Sequence, residues 1–149
     1  MRGAWILAAS AFLAAPAFAD DMPLNPSVTQ ETINQTICVH GWTKTVRPPV
    51  AYTGSIKRQM MAEIGVPPEG EEDITLDHKI PLALGGAPDD RRNFILQPDD
   101  ESKDKDRVEV CLSRTVCGGK VSLEQARTAI WKNWRSAARL CTGYRVIGR

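Results

Sequence analysis

Asp77 and His78 stand side by side at the end of a short β-prone segment, Ile74-Thr75-Leu76. Histidine ionises near pH ~6.5, so at neutral pH it can take a proton from water as a general base. A lone histidine at a strand end is more often packing than chemistry. Here an acid precedes it, Gly85-Gly86 follow in a turn-rich loop with Pro88-Asp89-Asp90, and Asn93 lies fifteen positions on. Three elements must position this set. Asn93 opens a second β-prone run, Phe94-Ile95-Leu96, and Asp99-Asp100-Glu101 bring negative charge to the start of a helix predicted to reach about Arg114. Strand, loop, strand and helix make a small unit that can hold one metal ion between a hairpin and a helix.

The stretch from Asp77 to Asp106 resembles the HNH family, the ββα-metal nucleases. The resemblance is carried by Asp77-His78, by Ile80-Pro81-Leu82 with Gly85-Gly86 behind it, by Asn93 and by the helix that follows. It implies an α+β fold with a small ββα-metal core over about 74–115, flanking helices and a metal-dependent endonuclease activity. Hydrolysing a phosphodiester needs an activated water and neutralisation of charge on the phosphate and leaving oxygens. In the resemblance His78 is the general base, Asp77 binds the metal, and Asn93 fixes the imidazole or the loop backbone. The sequence departs from the family on the helix, where Ser102 stands in place of a third histidine. Asp106, one helical turn later on the same face, is the expected replacement ligand. A site built on Asp77 and Asp106 is oxygen-rich, which favours Mg2+ or Mn2+, with Zn2+ as the other ion considered.

Residues 1–19 read as a secretory signal peptide: Arg2, an apolar run from Ala4 to Ala15, and an Ala17-Phe18-Ala19 cleavage site. The apolar run is short for a membrane span, and the remaining 130 residues suit one domain. A protein exported to a periplasm or beyond it, with no membrane association after signal removal, is the expected product. With 19 basic and 18 acidic residues the chain is near neutral, so a nucleic-acid partner would need a local basic face. The candidates are Lys44, Arg47, Lys57 and Arg58, and the basic positions from Arg127 onward.

Residues 20–36 read as a loose arm, and 37–149 as the domain. Thr36 to Pro49 is β-prone, and Tyr52 to Ile64 suits a helix. Ser122 and Gln125 form a capping-box start for a helix running to about Leu140, with Trp131 and Trp134 read as core packing. Four cysteines without Cys-x-x-Cys spacing in an exported chain point to disulfides, and three pairings are open. The run from Cys38-Val39 through Gly41-Trp42-Thr43-Lys44-Thr45-Val46-Arg47-Pro48-Pro49 is similar to that of a group of exported bacterial HNH-like proteins, a likeness that extends over nearly all of the mature chain. That likeness implies Cys38–Cys117, leaving Cys111 with Cys141. The second pair conflicts with an unbroken helix to Leu140, which would carry Cys141 far from Cys111. Two functions follow: a non-specific nuclease acting on DNA, with RNA as the other substrate, or a binding or structural protein on a catalytically degenerate HNH scaffold.

Overall fold

The computed structural model describes residues 21–141. It mixes helices with one two-stranded sheet. In chain order come α1 (Trp42–Val46), α2 (Val50–Glu63), β1 (Ile74–His78), β2 (Phe94–Pro98), α3 (Asp99–Cys117), α4 (Leu123–Lys132) and α5 (Trp134–Ala137), joined by short 3₁₀ turns. β1 and β2 run antiparallel, pairing Ile74 with Pro98 at one end and His78 with Phe94 at the other. Their fifteen-residue connection, 79–93, is the turn-rich loop.

α3 is the longest element and carries the core. Its first turn holds Asp99, Asp100 and Glu101 and its last turn Arg114, each favourably placed on the helix dipole. Val108, Leu112 and Val116 lie on one stripe and pack with Ile80 and Leu84 of the loop and with Leu123, Ala126 and Ile130 of α4. Gly85 and Gly86 are there because nothing larger fits. A Cβ on Gly86 would stand 1.9 Å from the Ile80 carbonyl oxygen, and Gly85 adopts φ +72° hard against Val28 and Arg127.

Four expectations need correcting. The arm from residue 20 is packed rather than loose from Asp21 onward. Leu24 bridges to Gly86, the Ala87 amide donates to the Pro23 carbonyl at 2.9 Å, and Val28 and Ile33 enter the core. Thr36 to Pro49 is not a strand but turns followed by α1. Gly41 at φ +82° breaks any extended run, and Cys38 is tied to α3. The helix after Ser122 stops at Lys132, because Asn133 is extended (φ −167°, ψ 108°) and its side chain caps α5 by accepting from the Ser136 amide. That break turns the chain back on itself and resolves the cysteine conflict. Cys38 pairs with Cys117 and Cys111 with Cys141, with Cα–Cα distances of 5.6 and 5.8 Å. Arg127, grouped with a basic surface, is buried instead. Its guanidinium donates to the carbonyls of Leu84 (2.7 Å) and Val28 (3.0 Å), and burial draws its pKa down to about 10.

Among the described residues no helix is long and apolar enough to cross a membrane. The stretch read as a signal peptide, residues 1–19, lies outside the described residues, as do Arg145 and Arg149. Two disulfides suit an oxidising compartment.

Candidate functional site

Successive residues of a strand face opposite sides. The Asp77-His78 pair is therefore split by the hairpin, with the aspartate toward α3 and the histidine toward the loop.

On the loop side, Asn93 is fully buried and holds the connection shut. Its side-chain oxygen accepts from the Ile80 amide at 2.9 Å, and its amide nitrogen donates to the carbonyls of Ile80 and Ala87 at 3.0 and 2.8 Å. Its side chain thus holds the loop backbone. The loop so held carries Pro88, whose carbonyl oxygen lies 3.0 Å from His78 Nε2. A carbonyl can only accept, so Nε2 carries the proton and Nδ1 keeps its lone pair. Phe94, the cross-strand partner, packs against the ring at 4.8 Å between centroids. Burial holds the His78 pKa below the ordinary histidine value; the Pro88 bond and Asp77 oppose this, while Arg47 and Lys105 add to it. His78 is accordingly an uncharged imidazole at neutral pH, oriented by its own carbonyl partner, with 8% of its surface exposed.

On the helix side the arrangement is charged and closed. One Asp77 oxygen accepts from the His78 amide at 2.7 Å; the other accepts from Gln97 Nε2 at 3.1 Å and from Lys105 Nζ at 2.8 Å. Lys105, 2% exposed, also donates to the His78 carbonyl at 2.7 Å and to Glu109. Its three donors are thus all used. Burial works against its charge, but the carboxylates of Glu109 and Asp77 overcome this and hold its pKa above the usual lysine value. Glu109 goes the other way: burial pushes it up to about 7 against the pull of the Lys105 ammonium.

Of the α3 side chains, Lys105 bonds to β1 and Glu109 bonds to Lys105. Ser102 is buried, whereas Asp106, expected to face the strand with it, is exposed. Asp106 takes no part in the hydrogen bonds that link Asp77, Lys105 and Glu109. Among the described residues no group of three or more histidine, cysteine, aspartate or glutamate side chains is placed to hold a metal ion. The donor set as packed does not fit a resident divalent cation: both Asp77 oxygens are engaged, and an ammonium lies between the strand carboxylate and the helix carboxylate.

Of the basic residues expected to meet phosphate, Lys57 donates to the Glu71 carbonyl at 2.6 Å and Arg58 stands 3.9 Å from the Glu71 carboxylate. Lys44 and Arg47 on and beside α1 are exposed, and the Arg47 charge is felt at His78. Lys105, Glu109 and Gln97 are the site residues that the motif did not reveal. Their signal was present, since positions 102, 105, 109, 112 and 116 form one helical stripe that ends in core leucine and valine.

Comparison with protein-family models, with curated proteins and with solved structures finds no match to this chain.

Proposed function

We propose that this protein is an exported phosphodiester hydrolase acting on nucleic acid, with His78 as the general base. The observation that carries the reading is the state of His78: an uncharged ring whose Nε2–H is fixed on the Pro88 carbonyl, leaving Nδ1 able to take a proton from water. Arg47 is the nearby cation available to a phosphate oxygen. Asn93 and Arg127 keep the loop, and with it Pro88, in place. Lys105 holds Asp77, whose carboxylate in turn fixes the His78 amide. No step of this reading runs through a metal ion.

A second reading has its own observation. A buried ammonium neutralising Asp77 and Glu109 is what a binding scaffold on an HNH-like frame would carry in place of an ion. One assay separates the two. Oxidised mature protein is incubated with supercoiled plasmid, and separately with RNA, with chelator or with added magnesium, manganese or zinc. The hydrolase reading expects cleavage, reduced about 10²–10⁴-fold by His78→Ala with the thermal midpoint nearly unchanged. Cleavage only with an added ion would mean that Lys105 leaves Asp77 when substrate binds. Absence of cleavage in every arm would leave the scaffold.

A further inference from the structure

A groove of about 440 Å³ runs beside β2 on the α3 side of the hairpin, within the usual size of small-ligand pockets, about 300–1,000 Å³. Its walls are Gln97 of β2, Lys79 just beyond β1, and Trp131, Lys132, Trp134 and Arg135 around the break at Asn133. Trp131 and Trp134 were expected to be core. Each does pack on the core, yet each is only half-buried and turns surface to the groove. A cation covers each indole: Lys79 Nζ lies 5.2 Å from the Trp131 ring centre and the Arg135 guanidinium 4.4 Å from that of Trp134. The one acid in the groove, Glu101, is already paired with Arg135 at 2.8 Å. Lys105 at the floor is committed to Asp77 and Glu109. Lys79 and Lys132 make no ion pair among the described residues, so the groove carries uncompensated positive charge.

We infer that this groove binds a short stretch of single-stranded nucleic acid, stacking a base on Trp131 or Trp134 and neutralising its phosphates with Lys79 and Lys132. The inference shares the class of ligand with the proposed function but uses none of its hydrolytic residues. Interleaved rings and cations are the combination that sequence-tolerant single-strand binding needs: a π-face serves any base, and cations follow the backbone. Charge alone would suit an acidic peptide equally; two indoles lining one groove, each faced by a movable cation, favour a base. The cations now lying over the rings have long, flexible stems, so they can move aside onto phosphates as a base takes the ring face.

The test measures anisotropy of a labelled oligothymidylate of about ten nucleotides, a length within single-strand site sizes. It is mixed with oxidised full-length mature protein carrying His78→Ala, so that nothing is consumed. Binding should weaken about tenfold in Trp131→Ala. Lys79→Gln and Lys132→Gln should each lower the slope of log K against log salt by about 0.7. These two lysine variants remain informative if the tryptophan variant does not fold. The inference is overturned if the parent binds no oligonucleotide at low salt, if the lysine variants leave affinity and salt slope unchanged, or if polyglutamate competes as well as the oligonucleotide. Binding without plasmid cleavage by the parent sinks the hydrolase reading alone; cleavage without groove-dependent binding sinks this one alone.

Discussion

The two sides of β1 solve different problems one residue apart. Asp77 looks into a cluster of charges in which every donor of Lys105 is taken and the carboxylates are shared. His78 looks into a loop held by neutral hydrogen bonds, and its ring keeps one nitrogen uncommitted. A charged group buried at such a site must be neutralised by something, and here the chain supplies its own cation. The imidazole, uncharged at working pH, tolerates burial without a counter-ion and so can remain reactive. The helix side is therefore closed by its own charges, whereas the loop side leaves one ring nitrogen uncommitted.

The contrast breaks first at Lys105. Lys105→Met removes the cation and leaves Asp77 and Glu109 facing one another, and should cost about 3–5 kcal/mol of stability in denaturant unfolding. Adding Glu109→Gln should recover part of that loss. A Lys105→Met protein as stable as the parent would mean that the ammonium is not what holds the two carboxylates.

The next effect is on pH dependence. The unfolded histidine takes its proton near pH ~6.5 and the folded one only at lower pH. Between those values the unfolded histidine binds more protons, so the contribution of His78 to stability falls on acidification and is lost as pH passes through the folded value, while Glu109, raised to about 7, contributes in the opposite sense. His78→Gln should flatten this part of a stability-versus-pH curve. In the parent, the acid limb of any cleavage profile should fall below pH ~6.5. A limb above that value would place a different group in the base role.

The smallest effect belongs to Asp106. Asp106→Asn changes an exposed side chain that makes no hydrogen bond to the Asp77–Lys105–Glu109 cluster, so stability should move by less than about 0.5 kcal/mol, with cleavage unaffected. A marked activity loss would restore Asp106 as a ligand and mean that α3 rotates on binding substrate.

What the sequence made legible was local. Asp77-His78, Gly85-Gly86 and Asn93 announce themselves through turn chemistry and spacing, and the strands and α3 follow from flanking β-prone and capping residues. What it hid depended on distant partners. Lys105 and Glu109 look like solvated helix charges until the stripe they share with Leu112 and Val116 is followed inward. Arg127 looks like surface charge until the loop carbonyls it satisfies are in view. Asn133 sits inside an otherwise helical pattern, and its local role as a cap becomes visible only when the chain doubles back to Cys111. Thr36–Pro49 misled because β-branched and aromatic content says little about a segment fixed by a cross-link and a left-handed glycine.

The two cross-links interleave along the chain. Cys38 reaches past Cys111 to Cys117, and Cys141 reaches back past Cys117 to Cys111. A polypeptide synthesised from its N-terminus presents Cys111 to an oxidant before Cys117, and joining cysteines in order of appearance would give Cys38–Cys111 and Cys117–Cys141. The native pairing therefore has to wait until the helix has formed and turned Cys117 toward the N-terminal turns, or be recovered by thiol exchange with a disulfide isomerase. Either way the correct cross-links depend on folding that brings distant cysteines together, so their formation reports on the fold as well as stabilising it.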